Sequence, residues 1–141
     1  MEIIKLGGLD QRLYYIVAHL VMDEEVLSYN LNYPYKTSSE YLWFVGTEHG
    51  TTIGFIPVKL NEEKAVINNY YIADDDSAVL LALLKESTRV LHPDFDIEAV
   101  VQVRHTNTFE QCGFSIMLYW KRYVKMKLFK VHEKTDEEPI I

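Results

Sequence analysis

The stretch VVQVRHTNTFEQCGFSIMLYWKRYVKMKL, Val100 to Leu128, decides the fold. Leading into it, Ile97, Ala99, Val101 and Val103 alternate with Glu98, Val100, Gln102 and Arg104. That period of two predicts a strand with one apolar face. His105-Thr106-Asn107-Thr108 then offers cap-forming side chains, and FEQCGF predicts one or two helical turns. Gly113 suits the left-handed conformation that stops such a helix. A second β run follows, a hairpin that ends in RYVKM.

Working outward from that stretch, His92-Pro93 closes a helix in which Val79, Leu80, Leu83, Leu84, Ser87, Val90 and Leu91 recur at spacings of three and four. Any aspartate of ADDDS, or Ser77, can cap its start. Upstream, Tyr41–Val45 and Thr52–Leu60 flank the turn Glu48-His49-Gly50, with Gly54 as a candidate bulge. A third antiparallel strand is expected over Ala65–Ile72, after the turn Asn61–Lys64. MEIIKL predicts a first strand. Asp10 caps a helix carrying Leu13, Ile16, Val17, Leu20 and Val21, and Asp23 caps a shorter one. YNLNYPYKTSSE, from Tyr29 to Glu40, has no period and is expected to be a loop facing a ligand.

The bulk properties exclude several function classes. A chain of 141 residues is the size of one domain. With 25% charged and 48% hydrophobic residues it has a globular composition. A net charge of −7 argues against a general nucleic-acid binder. The cations Lys121, Arg122, Lys125, Lys127 and Lys130 are expected to scatter over both faces of the hairpin. A single cysteine, Cys112, cannot close an internal disulfide and is read as structural, and no apolar leader or span is seen, so a cytoplasmic protein without membrane partners is expected. The tail 131–141, HEKTDEEPII with its preceding valine, is acidic, aperiodic and expected to be flexible.

The order of elements, together with FEQCGF after the fifth expected strand, resembles the GCN5-related N-acetyltransferases (GNAT). The resemblance spans Met1 to about residue 130 as one GNAT-like domain. It implies an α/β, acyl-CoA N-acyltransferase-like fold. The sheet would be mixed and mostly antiparallel, with one parallel pair formed by the fourth and fifth strands and helices on both faces. It also implies acetyl-CoA as cofactor, with the pantetheine arm along Tyr71 and Ile72 and the pyrophosphate on the loop containing Ala73, Ser77 and Ala78. Asn107 and Phe109 fall where the family contacts the cofactor.

Two departures bear on chemistry. The family writes its pyrophosphate loop as Arg or Gln, two residues, Gly, one residue, Gly or Ala; this chain writes Ala73-Asp74-Asp75-Asp76-Ser77-Ala78. The family's Y-x-x-x-G-F tyrosine, which protonates the leaving thiolate, is here Phe109. Within the resemblance, His105 is the candidate base and Tyr119 or Tyr123 the candidate acid. No metal ligand set is expected. Two readings stay open: transfer of an acyl group from acetyl-CoA to a small-molecule or protein amine, with weak or altered activity, or a GNAT-fold module that no longer binds CoA, with a homodimer through the C-terminal hairpin as a further expectation.

Overall fold

The computed structural model describes residues 1–130. The expected tail 131–141 lies outside the described residues. Eight strands form one sheet in the order β1-β2-β3-β4-β6-β8-β7, with the short β5 also paired to β3. The strands are β1 (Glu2–Gly7), β2 (Tyr41–Glu48), β3 (Thr51–Leu60), β4 (Lys64–Ile67), β5 (Tyr71–Ile72), β6 (Asp96–Gln102), β7 (Ser115–Tyr119) and β8 (Tyr123–Leu128). The helices are α1 (Gln11–Val21), α2 (Glu24–Ser28), α3 (Ser77–Leu91) and α4 (Thr106–Gln111). All pairings are antiparallel except that of β4 with β6, where Ala65 lies opposite Ile97 and Ile67 opposite Ala99. This is the mixed sheet with one parallel pair that the sequence predicts.

The caps work as the sequence implies. Asp10 accepts from Arg12 N–H and Asp23 from Glu25 and Val26 N–H, so each carboxylate occupies donors that a helix start leaves free. Gly113, at φ +93°, ends α4. α3 lays Leu80, Leu83, Leu84 and Leu91 against the face of the sheet formed by Phe44, Ile56, Ile67, Ala99 and Met126. Each such leucine, fully buried, contributes about 2 kcal/mol before entropy. On the other face α1 and α2 bury Leu13, Val17 and Val26 against Leu6, Trp43, Val45 and Phe55. That second core covers the β1–β3 side and leaves the opposite end of the same face, over β4, β6 and β8, without a helix.

Three expectations are corrected in detail. The strand expected over Ala65–Ile72 is two strands, because Asn68, Asn69 and Tyr70 span only Ile56 and Pro57 of β3. The physical reason is Pro57. Leu60 N–H bonds back to Glu40 on the β2 side, so alternation points position 57 toward β4, and proline has no N–H to offer there. The bulge expected at Gly54 has its extra residue at Ile53, since Gly46 pairs with Gly54 and Thr47 with Thr52. Lys125 and Lys127 do not scatter. They alternate with buried Val124 and Met126 and share the open face, near Glu98 (4.0 Å each), with Lys127 also 3.9 Å from Asp96.

Candidate functional site

β4 and β6 stop pairing after Ile67 and Ala99, while β6 runs on to Gln102. The wedge between them opens toward the segment Tyr70–Asp76 on one side and Val103–His105 on the other. Tyr70 fills its base, with 1% of its surface exposed, and Phe109, fully buried, packs on it at 5.8 Å between ring centroids.

His105 follows β6 in a 3₁₀ turn and takes the N-cap position of α4, yet its ring does not cap that helix. It points into the wedge and is 5% exposed. The Tyr70 hydroxyl accepts from Gln102 N–H (3.3 Å) and lies 2.6 Å from His105 Nδ1, to which it donates when the ring is neutral with its proton on Nε2. Nε2 then carries the ring proton and donates it to Asp75 Oδ1 (2.7 Å). This is the neutral imidazole. Burial pushes the His105 pKa down, against the upward pull of Asp75.

Asp75 collects three more donors: the Tyr29 hydroxyl (2.8 Å), Arg104 Nε (2.7 Å) and, more distantly, the second Arg104 nitrogen (3.3 Å). Burial by itself would raise its pKa, but hydrogen bonds from Arg104, His105 and Tyr29 outweigh it and hold the carboxyl at about 2. Arg104 also lies 5.1 Å over the Tyr29 ring and donates to the Gln102 side chain, which in turn donates to Tyr29 C=O (3.2 Å). Burial raises the pKa of both Tyr29 and Tyr70, keeping the phenols protonated as donors. The result is a chain of polar contacts, Gln102–Tyr70–His105–Asp75–Arg104/Tyr29, that ties one side of the wedge to the other.

The loop before α3 is shaped by its aspartates. Asp74 and Asp75 stand at φ +56° and +51°, a left-handed region that asparagine and aspartate enter more readily than other side chains. Asp76 caps α3, accepting from Ala78 N–H (2.9 Å) and Val79 N–H (3.4 Å). Two of the donors that a phosphate would use at this helix start, Ala78 N–H and Val79 N–H, are therefore engaged by the chain's own carboxylate, and a second carboxylate, Asp75, stands beside it. A diphosphate here would meet like charge at about 1 kcal/mol per pair near 4 Å in water, and more where partly buried. The residues present do not fit a CoA diphosphate.

Of the residues singled out from sequence, the structure brings His105 and Phe109 to the wedge. Tyr71 lies at its edge, half-buried, with its ring 5.3 Å from Tyr29; Ile72 is buried in the core beneath α3. Ala73 opens the 3₁₀ turn, Ser77 and Ala78 are exposed on the first turn of α3, and Asn107 is exposed on α4. Tyr119 is 67% exposed at the end of β7, away from the polar chain. Tyr123 reaches a separate cavity, where its hydroxyl donates to Asn30 Oδ1 (2.7 Å). Sequence reading missed Tyr29, Tyr70, Gln102 and Arg104 as partners, and Asp75 as their hub. The one local signal was polar Gln102 and Arg104 continuing an apolar strand.

No family model matches the chain and no curated protein matches it. Solved structures do. Escherichia coli ElaA is 16% identical, with a TM-score of 0.71 over 90% of this chain and 99% of that one. The ribosomal-protein-S18-alanine N-acetyltransferase of the same organism is 14% identical, with a TM-score of 0.71 over 99% and 100%. This chain has the GNAT fold. A third GNAT-fold neighbour, the PaiA N-acetyltransferase from Thermoplasma acidophilum, was solved in complex with coenzyme A; it is 15% identical, with a TM-score of 0.59 over 93% and 100%. Among the described residues no group of three or more His, Cys, Asp or Glu could hold a metal, and no helix is long and apolar enough to cross a membrane.

Proposed function

We propose that this GNAT-fold protein is a ligand-binding module that does not use CoA. The observation that carries this reading is the occupation of the helix-start donors of Ala78 and Val79 by Asp76, with Asp75 locked across the wedge by Arg104, His105 and Tyr29. Entry of a pantetheine arm along Tyr71 and Ile72 would require those contacts to open, at a cost on the order of several kcal/mol for charge-assisted bonds. The wedge is thus a structural tie between β5 and β6, and binding falls to the open face of the sheet.

A second reading, weak or altered acyl transfer to an amine, is favoured by one observation. The Tyr70 phenol, hydrogen-bonded to His105, packs directly on Phe109, the position where the family's tyrosine stands.

Calorimetric titration with CoA and acetyl-CoA, on the native protein and on Asp75→Asn/Asp76→Ser, separates the two. No saturable heat from the native protein at about millimolar ligand, where a usable cofactor would be bound, supports the module. Micromolar binding by the native protein overturns it and turns attention to Tyr70, His105 and an amine-acceptor screen.

A further inference from the structure

We propose that the cavity on the open face of the sheet binds a small organic anion, a carboxylate or phosphate monoester with a flat or short apolar body. It rests on the module reading above, whose ligand class it names. The cavity measures about 580 Å³, within the range of small-molecule sites.

Its existence follows from the break between β4 and β5. Where Pro57 cannot pair, β4 peels away at Asn68–Asn69, and the loop after α2 folds over the gap. That loop is tied down by an amide relay. Tyr123 donates to Asn30, buried Asn30 donates to Asn69, and Asn69 donates to Tyr33 C=O (3.0 Å) and Pro34 C=O (3.2 Å). The wall is therefore held in place before any ligand arrives, which limits the ordering entropy on binding. Asn68 is exposed and makes no side-chain hydrogen bond among the described residues, so its amide is available to a ligand.

The charge of the lining sets the ligand's sign. Lys36 and Lys59 line the cavity, neither forms an ion pair among the described residues, and no lining residue is acidic. The carboxylates on the adjoining rows are already engaged. Glu98, beside Val66 in the sheet, has Lys64 at 3.3 Å and both Lys125 and Lys127 at 4.0 Å, and Asp96 has Lys127 at 3.9 Å. In a chain of net charge −7 this is a locally basic hollow. It would repel a protonated amine and attract an anion. The apolar part of the ligand meets Tyr41, Val66 and Val100.

The test uses four probes of one size: benzoate, phenyl phosphate, benzyl alcohol and benzylamine. Each is titrated into ¹⁵N-labelled protein while the Asn side-chain amides and the β3–β4 backbone are followed. Saturable shifts with benzoate or phenyl phosphate and none with benzylamine are expected, and the stronger of the two anions identifies the headgroup. Lys36→Gln/Lys59→Gln, with unchanged melting temperature, should weaken the anion about tenfold or more. Benzylamine binding as well as the anions, unchanged affinity in the double variant, or no saturable shift with either anion overturns the proposal. CoA heat that vanishes in Lys36→Gln/Lys59→Gln reports this cavity, whereas CoA heat that survives there and grows in Asp75→Asn/Asp76→Ser reports the helix start, so the two failures are distinguishable.

Discussion

Replacing Tyr70 by phenylalanine removes one oxygen from the interior and leaves the ring in place against Phe109. That oxygen serves two buried partners, accepting from Gln102 N–H at 3.3 Å and donating to His105 Nδ1 at 2.6 Å. With Tyr70 1% exposed and His105 5% exposed, water cannot replace it without opening the wedge. Each orphaned buried group costs about 1–3 kcal/mol, and the long Gln102 contact sits at the low end. Apolar burial is unchanged, so the expected loss is about 2–4 kcal/mol. For a domain of this size that corresponds to a fall in Tm of about 6–14 °C. Urea unfolding should show a lower midpoint with an unaltered slope, because the surface exposed on unfolding does not change. A His105→Leu variant and the double variant complete the cycle, with a coupling of about 1–2 kcal/mol between the two positions. A Tyr70→Phe loss below about 0.5 kcal/mol, within the range of surface substitutions, would refute the claim that this hydroxyl holds the wedge shut.

Acid should destabilise the protein in two windows. His105 has a lowered folded pKa, so the unfolded chain takes its proton first and stability falls as pH drops below the ordinary histidine value of about 6.5. Asp75, held at about 2, contributes stability that is full above the ordinary aspartate value of about 4 and is lost as pH falls through about 2. Being partly exposed, it is worth on the order of 1 kcal/mol. Urea midpoints measured from pH 7.5 downward should show both steps, and His105→Leu should abolish the upper one and shrink the lower, since His105 is one of the donors that hold the Asp75 carboxyl down. Gly8→Ala should destabilise by about 2–3 kcal/mol, because a Cβ there would sit 2.2 Å from Ser38 O and 2.5 Å from Thr37 Oγ1. That loop also lines the open-face cavity through Lys36, so the variant should weaken anion binding in the probe titration. Gly113→Ala should lose about 1 kcal/mol in thermal unfolding, since alanine is strained at φ +93° and Leu128 Cδ1 lies 3.2 Å from the added carbon.

The element pattern was legible because it rests on short-range chemistry. The alternation of Ile97, Ala99 and Val101, the three-and-four spacing of α3, the caps at Asp10 and Asp23 and the stop at Gly113 are each fixed by neighbours a few residues away. The break in the strand at Asn68–Tyr70 was not legible from that strand, because its cause is Pro57 on the neighbouring one. The wedge contacts lay further still from local pattern. Asp75 meets Tyr29 across 46 positions and His105 across 30, and the sequence offered only a run of three aspartates suited to capping. One of them, Asp76, does cap. Asp75 does something that depends on where β6 ends.

By itself the sequence determined most of the secondary elements, because propensity, period and capping act locally; their order, with a crossover helix between two strands, implied the parallel pair of the mixed sheet, and three carboxylates stood where the family's glycine-bearing loop stands. Only the tertiary structure decided what those carboxylates do and where a ligand can go. The wedge between β4 and β6 is closed by residues that no local interaction brings together, and the open face lies where α1 and α2, packed over β1–β3, do not reach.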